Sequence, residues 1–114
     1  MATAVARLIE AHHEAGRDFT AAGVQSFVRE EGSGEPIVLM HGLPSSAWLY
    51  RKVIPLLAAA GHRALCFDLP GLGLASRPTD FDYTIPGLGA FAAAAVDSLG
   101  LQRFHLVVHD AGGP

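Results

Sequence analysis

Phe104-His105-Leu106-Val107-Val108-His109-Asp110-Ala111-Gly112-Gly113 is the stretch that decides the fold of this chain. Its apolar first half, Phe104 to Val108, favours a strand. After His109 come an acid, a small residue and two glycines, which predict a sharp turn from strand to helix. Such a turn presents one side chain at its tip, and here that side chain is the carboxylate of Asp110. The sequence stops before the helix expected after the turn completes its first turn.

The rest of the chain alternates between predicted strands and helices. The predicted strands are 24–30, 36–40, 63–68 and 103–109, and the predicted helices are 2–16, 48–60 and 85–99. Glycines are expected to end each helix, and Pro55 to bend the second one. The order from residue 36 onward favours right-handed crossovers and a mostly parallel sheet with flanking helices. The continuous apolar runs predict strands buried on both faces, the last one included.

Composition narrows the class of protein. Half of the residues are apolar and 17% are charged, against about 25% charged in ordinary soluble domains, so the chain suits part of a larger core. A net charge of -3 gives no case for binding nucleic acid or an anionic membrane. No secretory signal or spanning segment is recognisable, so the protein is expected to be cytoplasmic. Cys66, inside an apolar run, is expected to be a buried, inert thiol.

Two adjacent histidines, His12 and His13, lie on the predicted first helix. Metal ligation from one helix face prefers residues four apart, so we expect both rings to be solvated at the surface. No metal site is predicted from the sequence.

Three motifs follow predicted strands directly and therefore share the rim formed by the carboxyl ends of the strands, where ligands bind in open α/β sheets. They are His41-Gly42-Leu43-Pro44, Asp68-Leu69-Pro70-Gly71-Leu72-Gly73 and His109-Asp110-Ala111-Gly112-Gly113. This shared rim is the strongest geometric argument that the sequence provides.

Each motif has a simpler interpretation. Asp110 could only cap the next helix, and His41 could be an ordinary loop histidine. Gly71 and Gly73 could belong to a dinucleotide loop, but that fingerprint needs a helix directly after it, and Ser76 stands where the third glycine should be. A structural turn that forms a wall of the site is therefore preferred.

Together the motifs resemble the N-terminal part of an α/β-hydrolase, and within it the aspartate-nucleophile branch of epoxide hydrolases and haloalkane dehalogenases. The resemblance runs from about residue 24 to residue 114. Residues 41–44 resemble the H-G-x-P motif, 49–58 the helix after it, 68–73 the D-x-P-G-x-G loop and 107–113 the nucleophile elbow. The resemblance implies that this chain forms the N-terminal half of the α/β-hydrolase fold, truncated after the elbow. We predict a helical extension at 1–20 and a partial core domain at 21–114, with the cap and C-terminal part absent.

The resemblance also implies a role for each residue of the rim. Asp110 would be the nucleophile, and the backbone N–H groups of Leu43 and Ala111 would form an oxyanion hole. A carboxylate with a reference pKa near ~3.9 is ionised at neutral pH without help from a base. It can form an alkyl-enzyme ester that water then hydrolyses, with no cofactor. Supporting roles in the loops fall to His41, Gly42, Pro44, His109, Gly112 and Gly113.

Further expectations concern this neighbourhood. The bond between Leu43 and Pro44 is expected to be cis. His109 is expected to pack or to support the loop, because neighbours at a strand end point to different faces. The histidine base and the acid of the triad are expected beyond Pro114, so the 114-residue chain alone is expected to be inactive.

The substrate class rests on two departures from the dehalogenase pattern. Dehalogenases carry a Trp after the nucleophile and often an Asn after His-Gly, whereas this chain has Ala111 and Leu43. A hydrolase of the epoxide-hydrolase type is therefore favoured, acting on a small apolar organic substrate with water. The alternatives are a haloalkane dehalogenase, a ligand-binding scaffold without activity and a Rossmann-type cofactor binder.

Overall fold

Five strands form one sheet in the order β1-β2-β4-β3-β5 in the computed structural model, which describes residues 3–114. They are β1 (Gly16–Ala21), β2 (Val24–Glu31), β3 (Pro36–Met40), β4 (Arg63–Phe67) and β5 (His105–Val108). β3 pairs in parallel with β4 and β5, whereas β2 pairs antiparallel with β1 and β4. The carboxyl ends of β3, β4 and β5 therefore share one rim of the sheet.

Within the described residues, three α-helices accompany the sheet: α1 (Ala4–Glu14), α2 (Val53–Ala59) and α3 (Ile85–Ser98). The hydroxyl of Thr3 caps α1 by accepting from the N–H of Ala6, and the hydroxyl of Thr84 caps α3 in the same way. The predicted first helix is confirmed over residues 4–14, and its predicted start at residue 2 lies outside the described residues.

Side chains alternate between the two faces of the sheet, as the pleat requires. Val38 and Met40 of β3 pack in the core beneath α3, whereas Leu39 packs in a second core with Ile54 of α2. In β4, Cys66 belongs to the second core and is buried, as expected, and burial raises the pKa of its thiol. The predicted α/β class with flanking helices is thus confirmed, with a sheet of mixed pairing.

One strand was not predicted from the sequence. β1 has the sequence Gly-Arg-Asp-Phe-Thr-Ala and follows α1 with a single residue between them. Ala22 and Gly23 both have positive φ, 50° and 74°, and form the two-residue turn of a hairpin with β2. β1 crosses the proposed division at residues 20 and 21, which otherwise stays a prediction.

The predicted helix over 48–60 is wrong in its first part. A short 3₁₀ turn spans Ala47–Tyr50, and α2 begins only at Val53. Pro55 is the third residue of α2, where its missing N–H costs no hydrogen bond. The proline therefore lies in the first turn of the helix and does not bend it.

Two burial expectations are also corrected. All four residues of β5 are exposed, because β5 is an edge strand that nothing covers among residues 3–114. His12 is 6% exposed, packed against Phe27 and Trp48, whereas His13 is exposed as expected. No helix within the described residues is long and apolar enough to cross a bilayer.

Candidate active site

The turn after β5 holds Asp110 in an unusual backbone conformation. The φ of Asp110 is +54°, a left-handed value that few residues other than glycine adopt. The N–H of Gly112 donates to the carbonyl of His109 at 2.9 Å, which closes a 3₁₀ turn over Asp110–Gly112. The exposed carboxylate is thereby presented at the tip of the turn, as the sequence predicts for a nucleophile elbow.

Two glycines make room for this turn. A Cβ on Gly42 would lie 2.6 Å from Cβ of Asp110 and 2.7 Å from its Oδ2. A Cβ on Gly112 would lie 2.9 Å from the carbonyl oxygen of His41. All three distances are shorter than real Cβ contacts allow, so the H-G-x-P loop and the elbow can touch only because these positions lack side chains. Gly113 is under no such constraint, since its Cβ would come no nearer than 3.4 Å.

Backbone N–H groups from both segments lie near the carboxylate of Asp110. The N–H of Leu43 donates to Oδ2 at 3.3 Å. The N–H groups of Ala111 and Leu43, in that order of effect, lower the pKa of the Asp110 carboxyl below its usual value. Within residues 3–114, no side chain bonds this carboxylate, and the ring of His109 is exposed.

His41 connects the loops that follow β3 and β4. Its ring is fully buried, with Nδ1 2.8 Å from the carbonyl oxygen of Gly42 and Nε2 accepting from the N–H of Leu69 at 3.0 Å. This pairing assigns the proton to Nδ1, and burial lowers the pKa of the imidazole, so the ring is neutral. The Leu43–Pro44 peptide bond is cis, as expected.

Asp68 closes the third loop of the rim. Its buried carboxylate accepts from the N–H of Ala47 at 2.7 Å and from the N–H of Leu74 at 2.8 Å. Burial raises the pKa of this carboxyl, and the two backbone bonds oppose that rise. No helix begins after Gly73 until Ile85, so the requirement for a dinucleotide loop is not met.

The three motifs therefore meet at one rim, through the contacts of Gly42 with Asp110 and of His41 with Leu69. Sequence reasoning missed Tyr50, whose buried hydroxyl donates to the carbonyl of Met40 at 2.9 Å, just before His41. The signal was available, because a tyrosine in an otherwise apolar segment needs a partner for its hydroxyl.

Comparisons with known proteins agree with this arrangement. Residues 35–114 match the family model described as alpha/beta hydrolase fold. A haloalkane dehalogenase of Psychrobacter cryohalolentis is 42% identical over 69% of this chain and 26% of its own length. One from Agrobacterium fabrum is 40% identical over 83% of this chain and 31% of its own.

Solved structures point the same way. The crystal structure of an epoxide hydrolase from Vigna radiata superposes with a TM-score of 0.79 at 35% identity, over 85% of this chain and 32% of that one. A haloalkane dehalogenase from Agrobacterium tumefaciens gives 0.77 at 39% identity, over 85% and 33%. The chain spans about a quarter to a third of the length of these relatives. Since the family model covers most of its residues, the chain belongs to the α/β-hydrolase fold family, whose relatives here are hydrolases.

Proposed function

We propose that the whole protein is a hydrolase in which Asp110 attacks an electrophilic carbon and forms an alkyl-enzyme ester. One observation carries the proposal: the Asp110 carboxylate stands at a left-handed turn and accepts a hydrogen bond from the backbone N–H of Leu43. A carboxylate that only capped a helix would not need donors from a separate loop. The N–H of Leu43 comes from such a loop, 67 residues away in sequence.

The first step needs an ionised and correctly oriented carboxylate. The lowered pKa of Asp110 keeps it ionised at neutral pH. With Oδ2 held by the N–H of Leu43, Oδ1 is the oxygen that attacks. The new bond joins Oδ1 to the substrate carbon, and the bond from that carbon to its leaving group breaks, so the leaving group departs with the electron pair.

The second step hydrolyses the ester. Water adds to the carboxyl carbon of Asp110 and gives its proton to a general base, which we propose to be a histidine later in the whole protein. Negative charge develops on the former Oδ2, where the N–H groups of Leu43 and Ala111 can stabilise it. Loss of one such donor typically costs about 10²–10³ in rate. Collapse of the intermediate breaks the bond from the carboxyl carbon to Oδ1. The alkoxide leaves with that electron pair and takes the proton back from the base, and loss of the remaining proton to water restores the carboxylate.

An epoxide is the favoured substrate. Opening of an epoxide leaves an alkoxide, which only needs a proton, whereas a departing halide needs donors that surround it. The side chains of Leu43 and Ala111 supply no such donors next to Asp110. We also propose that the protein works in the cytoplasm, on a small apolar substrate with water and without nucleic acid or a membrane.

A haloalkane dehalogenase is the second candidate. It is favoured by the 40–42% identity to haloalkane dehalogenases over most of this chain. Paired assays of the whole protein, diol formation from an epoxide and halide release from a bromoalkane, distinguish the two. Faster halide release would favour the second candidate, and absence of both reactions would favour a scaffold without activity.

Oxygen labelling tests the nucleophile directly. With the whole protein in excess over an epoxide in H₂¹⁸O, a single turnover should place ¹⁸O in the Asp110 carboxyl and none in the diol. Mass spectrometry of the Asp110 peptide and of the product measures both. Label in the diol after one turnover would overturn the proposal, because it would mean direct attack by water.

Matched variants complete the experiment. Asp110→Asn should abolish labelling and turnover, and asparagine tolerates the left-handed conformation, so the turn is kept. Asp80→Asn, at an exposed loop carboxylate, removes the same charge and should leave both unchanged.

A further inference from the structure

A cleft of about 300 Å³ beside α1 collects basic side chains. Arg29, Arg51 and Lys52 line it together with the ring of His12, and Trp48 and Leu8 add apolar surface. In a chain of net charge -3, three cations around one cleft are not a consequence of general basicity. The cleft includes neither Asp110 nor the glycines that contact it, so it is distinct from the candidate active site.

The base of the cleft is a contact between a cation and a neutral base. Nη1 of Arg29 lies 2.7 Å from Nδ1 of His12, so the guanidinium donates and the imidazole accepts. His12 is buried, and burial together with the charge of Arg29 lowers its pKa to about 4. The ring is therefore neutral at pH 7, and Arg29 keeps its positive charge without a negative partner in this contact.

Carboxylates do not neutralise these cations within residues 3–114. Arg17 and Arg63, on the same sheet, both form ion pairs with Glu30. In contrast, no acid lies within ion-pair distance of Arg29, Arg51 or Lys52 in the described chain.

Glu31 and Trp48 interact with these arginines, but neither residue forms an ion pair with them. The charge of Glu31 raises the pKa of Arg29, but burial is the larger effect and the net direction is down. Arg51 is held in place, since its guanidinium lies 4.3 Å from the centre of the Trp48 ring and donates to the Trp48 carbonyl at 3.1 Å. Contacts with Trp48 and His12 therefore hold the two guanidinium groups in fixed positions at the cleft.

We propose that this cleft binds a small organic carboxylate with an apolar tail. Guanidinium groups match carboxylates in geometry and charge, which favours Arg29 and Arg51 as the groups that bind the head. The exposed side chain of Leu8 and the Trp48 ring offer contact to the tail. The volume is at the lower end of that of small-molecule pockets, which fits a short acid.

Calorimetric titration of the whole protein tests the proposal with hexanoate as the probe. Acetate, which lacks the tail, and hexanol, which lacks the charge, should each bind at least about tenfold more weakly. Inorganic phosphate should bind no better than acetate. Binding should be the same in the Asp110→Asn variant, so it is independent of the proposed catalytic function.

Variants locate the binding site. The double variant Arg29→Gln and Arg51→Gln should weaken hexanoate binding at least about tenfold. Lys52→Gln, at an exposed position, should weaken it by a smaller factor. Arg103→Gln removes the same charge from an exposed position outside the cleft and should have no effect.

Several results would overturn the proposal. These are no measurable binding of hexanoate, equal binding of hexanol, a stronger response to phosphate than to hexanoate, and an equal loss in Arg103→Gln. Circular dichroism of each variant shows whether its fold is intact, and Lys52→Gln keeps the test valid if the double variant unfolds.

Discussion

At Asp110, the backbone conformation and the position of the carboxylate depend on each other. The left-handed φ turns the side chain out of β5 and toward the H-G-x-P loop. There the loop can approach closely, because Gly42 has no Cβ. The same approach brings the N–H of Leu43 to Oδ2. Contacts this close leave no room for added atoms, so we expect even one extra methyl group to change the activity.

Replacement of Gly42 by alanine should therefore disable the carboxylate. The new Cβ would lie 2.6 Å from Cβ of Asp110 and must displace it. A misplacement of about 1 Å can cost about 10² in rate, and we expect a loss of this size in turnover by the whole protein. Single-turnover labelling of Asp110 should slow by the same factor.

Gly89→Ala is the matched control. Gly89 is an exposed residue inside α3, where an added Cβ meets no atom of residues 3–114 within 4 Å. This variant should keep its activity and gain about 0.5–1 kcal/mol in the free energy of unfolding, measured with urea. An unchanged rate in Gly42→Ala would show that the loop and the elbow are not in the contact described above.

A residue of the site can be predicted when its role follows from its neighbours in the sequence, and not when the role depends on how the strands pair. The sequence predicts the positions of Asp110, Gly42 and Gly112, because an acid or a glycine after a strand has local meaning. It does not predict that the ring of His41 reaches the N–H of Leu69, because that contact depends on the pairing of β3 with β4.

At the scale of elements, α1 packs on the sheet through one buried histidine, His12, which we call its anchor. His12 is the only residue of α1 that is buried, and its environment consists of Phe27, Trp48 and the guanidinium of Arg29. The prediction of a solvated ring was wrong because helical spacing alone does not say where β2 and the 3₁₀ turn lie. β1 was missed for a related reason, since pairing with β2 defines it more than its own composition does.

The anchor of α1 should fail in mild acid. The pKa of His12 is about 4 in the folded protein, against an ordinary value of 6.5. The unfolded form therefore binds more protons between these values, so stability is full above about pH 6.5 and declines as the pH falls toward 4. At pH 5, the local free energy of unfolding of α1 should be lower by about 2 kcal/mol than at pH 7.

Hydrogen exchange measures this effect as protection factors for the amides of α1, corrected for the intrinsic pH dependence of exchange. They should fall about thirtyfold from pH 7 to pH 5, in line with the expected 2 kcal/mol. The variant His12→Leu should remove the pH dependence, and His13→Gln, at the exposed neighbour, should retain it. Equal protection at both pH values would contradict the proposed anchor.

At the scale of the whole molecule, the two edges of the sheet differ. β1, at one edge, contacts α1 and α3 and buries Phe19 and Ala21, whereas β5, at the other, exposes all its side chains. The sequence predicts crossovers between parallel strands, but it does not predict the full strand order. The antiparallel pairing of β2 with β4 has no local signal in the sequence.

An uncovered apolar edge should control the behaviour of residues 1–114 when they are produced alone. Leu106, Val107 and Val108 are 57%, 43% and 46% exposed, next to unpaired backbone groups. Such edges pair with other chains, so sedimentation velocity should show association that increases with concentration. Leu106→Lys should reduce it, because a charged edge disfavours pairing, whereas Leu56→Lys, 71% exposed on α2, should not. A monomer at all concentrations with a sharp, cooperative thermal transition would mean that β5 is stable without a cover.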